Sequence, residues 1–133
     1  MTGMTALLIY IVWTLILALS YATYRLPLVL TGKKAANHWE RGNAVDDPAI
    51  LVRAKAAHLN CLENLPLFAA LVLVAAATSQ SDTVNAVAGF IVAARIGQSL
   101  VHLIGTSFPL VFVRASLFLA QVALMLYLAV ALM

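Results

Sequence analysis

Residues 53–68 read Arg-Ala-Lys-Ala-Ala-His-Leu-Asn-Cys-Leu-Glu-Asn-Leu-Pro-Leu-Phe, and this stretch holds the groups most able to do chemistry. Arg53, Lys55, His58, Asn60, Glu63 and Asn64 sit at the head of an apolar run that continues through residues 71–77. At about 100° per residue, Arg53, Asn60, Glu63 and Asn64 fall within a sector of roughly 100°, one face of a helix. His58 and Lys55 point elsewhere. Further along, Arg95, Gln98 and His102 stand at i, i+3 and i+7, again one face, and Arg114 follows. Three arginines and one glutamate with amides between them suit a small molecule that is polyanionic and zwitterionic. Arginines would clamp its carboxylates through paired hydrogen bonds, and Glu63 would take an amine. A plainer reading is that Glu63 pairs with Arg95 or Arg53 to hold helices together, while Arg114 extends to the membrane interface.

The elements that carry these residues are membrane spans. The chain has 133 residues, 64% hydrophobic and 10% charged, with a mean hydropathy of +1.00. A soluble domain would carry about 25% charged residues, and a spanning helix needs about 20 apolar ones. The expectation is therefore an all-α membrane protein, a bundle of four transmembrane helices in a single domain over residues 1–133. The spans are expected at about 4–24, 48–78, 83–104 and 109–132, with one long loop at 25–47. Pro27 should end or kink the first helix, and Asp47-Pro48 reads as an N-cap with proline at the first helical position. Pro66 lies inside the second helix. A cleaved leader is not expected, since no Lys or Arg precedes the first apolar run and that run is too long. Polar groups inside such spans must be solvated or paired, so their number in residues 53–64 needs a cause.

Six of the eight Lys and Arg residues lie between positions 25 and 55. By the positive-inside rule the first loop is cytoplasmic and both termini lie on the other side. Arg53, Asn60, Glu63, Gln98, His102 and Arg114 then gather at one depth, with Arg95 somewhat deeper. The net charge of +3 is the ordinary excess of cytoplasmic loops and does not point to nucleic acid. The single Cys61 excludes an intrachain disulfide and is read as a small buried residue. No zinc-type Cys/His spacing occurs and no metal site is expected, because His58 and His102 lack a third partner. His58 reads as structural, Asn64 as an inter-helix hydrogen-bond group, and His102 as either a donor to the site or an interfacial residue.

Arg53-Ala-x-x-Ala-His-x-Asn60-Cys-x-Glu63-x-x-Pro66-Leu-Phe68 resembles the second-helix signature of the MAPEG family, the membrane-associated proteins in eicosanoid and glutathione metabolism, and most of all its bacterial members. The similarity extends over the whole chain: four spans, a long first loop, and Ala94-Arg95 opening the polar end of helix 3. It implies a homotrimer in a bacterial inner membrane, with glutathione held near the cytoplasmic face between subunits. The co-substrate would meet a lipophilic electrophile drawn from the membrane lipids, in a transferase or peroxidase-type reaction. Carried over by position, the resemblance makes Asn60 and Glu63 glutathione contacts, Glu63 on the γ-glutamyl amine. Arg53 and Arg95 match recurrent arginines, and Gln98 and His102 occupy positions where relatives have His or Tyr. Arg114 matches the helix-4 arginine that stabilises the thiolate, although it comes a few residues later than the family spacing. A guanidinium beside a thiol, ordinarily near pKa 8.5, favours its ionised form. Ala56 replaces an arginine found in many glutathione-using members, and Phe118 stands where a tyrosine is usual. Those two departures favour an alternative within the same fold, a non-enzymatic lipid-binding or scaffold protein. A four-helix multidrug exporter would need an acid in the first span, which has none.

Overall fold

The computed structural model describes residues 1–44 and 46–133. It contains four helices, α1 (Gly3–Leu30), α2 (Ala49–Ala77), α3 (Ser81–Ile104) and α4 (Phe108–Ala131). Each is long and apolar enough to cross a membrane. At 1.5 Å per residue even the 24-residue helices exceed a hydrocarbon core of about 30 Å. The four-helix membrane bundle expected from composition is the fold observed.

α1 buries Gly3, Ala6, Leu7, Tyr10, Thr14 and Leu17 along one stripe of helical period. That stripe packs on α2 and α3, meeting Ala57, Cys61 and Phe68 of α2 and Val84, Ala88 and Ile91 of α3 in one core cluster. Small residues at these positions let backbones approach closely, which matters in lipid because burying leucine from lipid brings no hydrophobic gain. The approach is tightest at Gly3, where an added Cβ would lie 2.7 Å from Val84 Cγ1. α4 packs chiefly on α3 and touches α2 only sparsely. It buries just Gln121, Met125 and Leu128 within its helical length.

Helix ends differ in places from the sequence expectation. α1 runs past Pro27 to Leu30, because the Pro27 carbonyl takes both the N–H (2.9 Å) and the hydroxyl (2.6 Å) of Thr31 and so completes a further turn. Arg25 therefore belongs to α1, not to the loop. Pro48, rather than Asp47, is the N-cap of α2. The Asp47 carboxylate is drawn away: it accepts from Arg25 Nε (3.1 Å) and Nη2 (3.0 Å), and from Trp39 Nε1 (2.9 Å). The Arg25 guanidinium lies over the rings of Tyr21 (5.1 Å) and Trp39 (5.0 Å), pinning the first loop to α1. α2 is continuous through Pro66 and closes in a Schellman turn. Gln80 N–H donates to the Ala75 carbonyl at 2.8 Å, with Ser79 left-handed at φ 59°.

Candidate functional site

Asn60, Glu63 and Asn64 are spaced i, i+3, i+4 on α2 and share one face. Gln98 on α3 and Arg114, Ala115 and Phe118 on α4 turn toward that face. Together the seven line a cavity of about 260 Å³ at the end of the bundle that carries the first loop. Glu63 is exposed at its mouth, Asn60 and Arg114 are half-buried, and Asn64 and Gln98 are buried. The cavity thus holds one guanidinium that can only donate, one carboxylate that accepts when ionised, and three amides that do both. Neither Glu63 nor Arg114 forms an ion pair among the described residues. The ion pairs found join Arg25 to Asp47, and Lys34 and His38 to Asp46. The pairing of Glu63 with Arg95 or Arg53 does not occur.

Three residues expected at the site lie outside this cavity. The Arg53 side chain donates from Nε to the Leu103 carbonyl at 2.9 Å, where it satisfies the C-terminal end of α3. Arg95 is 1% exposed, with its guanidinium 5.7 Å from the Tyr10 ring centroid. Its Nε and Nη2 have no partner among the described residues. The three residues from Arg95 to Gln98 rotate the helix by about 300°, so Arg95 faces α1 while Gln98 faces α4. His102 is buried near the end of α3, and its Nδ1 has no partner among the described residues. Spacing on a single helix places side chains on a face; it does not say which neighbour covers each part of that face.

Ala115 also lines the cavity, beside Asn64, expected as an inter-helix hydrogen-bond group, and Phe118, expected where relatives have a tyrosine. For Asn64 the signal was present, since it shares the α2 sector with Asn60 and Glu63. Gln121 was missed. Its Nε2 reaches Gln98 Oε1 at 2.9 Å from the buried side of the cavity wall. It follows Arg114 by seven residues, two helical turns, and that interval places it on the same face of α4. His58, outside the cavity, meets α1 through Tyr21, whose hydroxyl lies 2.6 Å from Nδ1. Among the described residues no three His, Cys, Asp or Glu side chains are placed to hold a metal ion.

From Asn64 a second, apolar space leads away from the cavity. It is a groove of about 450 Å³ between α2 and α4, lined by Leu67, Leu71, Val74, Val122, Met125 and Leu126 among others. It exists because α2 and α4 scarcely touch. The polar cavity and the apolar groove share Asn64 as a lining residue.

Comparison with known families gives one match, to the MAPEG family, over residues 3–133. The chain belongs to the MAPEG family. No curated protein and no solved structure matches it. Membership places this MAPEG protein among the integral membrane proteins of glutathione and eicosanoid metabolism. The matched region takes in all four helices, so the cavity is built wholly from family sequence.

Proposed function

We propose that this MAPEG protein binds glutathione in the cavity between α2, α3 and α4 and conjugates it, through its sulfur, to lipophilic electrophiles. The observation that carries the reading is that Asn60, Glu63, Gln98 and Arg114, from three different helices, line one cavity. Glu63 takes the γ-glutamyl amine, with Asn60 beside it, and Arg114 faces the cysteine sulfur as the catalytic residue. There the guanidinium favours the thiolate, and the thiol proton leaves toward the aqueous face at the first-loop end of the bundle. The thiolate attacks the electrophilic carbon, a C–S bond forms, and the leaving group departs with its electron pair. In the peroxidase variant a hydroperoxide is reduced to an alcohol and water while two glutathione thiols become a disulfide. The apolar groove leading from Asn64 admits the lipophilic partner from the bilayer.

The assembly we propose is a homotrimer in a bacterial inner membrane, with the first loop cytoplasmic. Glu63 supports it physically: a carboxylate exposed on the side of a spanning helix is costly against lipid and calls for cover by protein. In the trimer Arg53, partly exposed at the same end of the bundle, can complete the ligand's surroundings from outside the cavity. The mass of the detergent-solubilised protein, measured by light scattering with the detergent subtracted, should be that of three chains; a monomer mass would contradict this.

The thiolate claim is tested by following ultraviolet absorbance of protein-bound glutathione as pH is raised. Wild type should ionise the bound thiol at least one pH unit below free glutathione, a difference worth about 1.4 kcal/mol. Arg114→Ala should return it to the free value, and an unchanged titration in that variant would remove Arg114 from the mechanism. A second reading, a non-enzymatic lipid-binding member, is favoured by Phe118, which puts a ring with no hydroxyl into the cavity wall. On that reading the groove is occupied and the bound thiol, if any, keeps its free pKa.

A further inference from the structure

Gln121 is 1% exposed within the spanning part of α4, and its hydrogen bonds leave it a single orientation. Its Nε2 donates to the Leu117 carbonyl at 2.9 Å and to Gln98 Oε1 at 2.9 Å. A backbone carbonyl only accepts, so the amide atom facing Leu117 must be the nitrogen. Both hydrogens of that nitrogen are then committed. The atom of Gln98 that meets it must be an acceptor, which fixes the second amide as well: Oε1 toward Gln121, Nε2 away from it. Gln98 lines the cavity, and no described group accepts from its Nε2. Arg114, on the same side, can only donate.

We infer that Gln121 is a positioning residue that locks Gln98 as a hydrogen-bond donor into the cavity, so that the α3–α4 wall takes an anionic or acceptor group. The cavity then has two walls of opposite demand, with Glu63 of α2 accepting from the ligand and Gln98 and Arg114 donating to it. This deepens the proposed function and rests on it in one respect: with glutathione bound, the group at the donor wall is the sulfur, as thiolate. A hydrogen bond to a charged group inside a protein changes affinity by roughly tenfold or more. The plain alternative is an interhelical clasp, in which the two glutamines only hold α3 to α4.

The experiment records side-chain amide spectra of protein labelled at glutamine, first without ligand. It then titrates glutathione and glutathione sulfonate, which carries a permanent anion at the sulfur. Without ligand, the amide protons of Gln121 should exchange slowly with water and those of Gln98 quickly. Gln121→Leu should weaken glutathione sulfonate roughly tenfold, and in a Gln98→Leu background it should cost nothing further, because it acts only through Gln98. Two results overturn the inference. One is a Gln98 amide as protected as that of Gln121 in the ligand-free wild type, a measurement that needs no variant to fold. The other is a Gln121→Leu variant that binds glutathione sulfonate as tightly as wild type, as a clasp with no part in orienting Gln98 would give. If wild type binds neither compound, the glutathione reading fails, and the exchange pattern alone decides whether Gln121 orients Gln98.

Discussion

Glu63 and Arg114 face a common cavity and carry opposite charges, yet neither is neutralised by a partner among the described residues. Unpaired charge along a spanning segment is costly to keep, which is consistent with the ligand site proposed here. By contrast, Asp46 in the first loop is paired within the loop. Asp46 accepts from Lys34 and from His38 (2.9 Å), and these two bonds hold its carboxyl down to about 2, against an ordinary 3.8. A depressed carboxylate pKa contributes stability that is fully present above about pH 4 and is lost as pH falls toward 2. Carboxyl NMR should therefore place the Asp46 titration below the ordinary aspartate range, and Lys34→Ala should move it up. A midpoint near 3.8 in wild type would mean that the loop pairs do not form. Among single residues, the sequence made Asn60, Glu63 and Gln98 conspicuous as polar groups in apolar runs whose helical spacing can be counted, whereas Arg114, a few residues late in spacing, rested on the family resemblance. Arg95 was not legible in this way. Its turn toward Tyr10 depends on α1 lying against α3, and no count along α3 contains that information.

At the scale of elements, the length and apolar character of the four runs were enough to place the helices, since lipid leaves the backbone no alternative to internal hydrogen bonding. Their ends were harder to place, because ends are set by individual side-chain bonds. Asp47 illustrates this. In sequence it looks like an N-cap; in the fold its buried carboxylate is the post to which Arg25 and Trp39 are tied. Asp47→Ala would leave the Arg25 guanidinium, itself only 15% exposed, without its acceptor. The expected cost is about 1.5–3 kcal/mol, the range for hydrogen bonds to charged groups. It would be read as a lower thermal midpoint together with a shifted Trp39 emission. An unchanged midpoint would show that the loop is not anchored through Asp47. The long reach of α1 past Pro27 has the same kind of origin, a pair of bonds from Thr31 that the proline itself gives no sign of.

For the whole molecule, the arrangement follows from where α4 packs. It follows α3 closely and stands off from α2, which opens the apolar groove below Asn64 and the charged cavity above it. The resulting division, apolar over most of the bundle and polar at the first-loop end, could be read from the sequence once the spans were laid antiparallel. The cavity's walls could not, because they depend on which helices are neighbours. Whether this cavity holds glutathione is decided by calorimetry on the detergent-purified protein, with wild type beside Glu63→Ala and Arg114→Ala. Wild type should give saturable heat at millimolar glutathione or below, with affinity reduced roughly tenfold or more in each variant, as loss of a charged hydrogen-bond partner requires. Absence of any binding heat in wild type at those concentrations would contradict glutathione binding in this cavity.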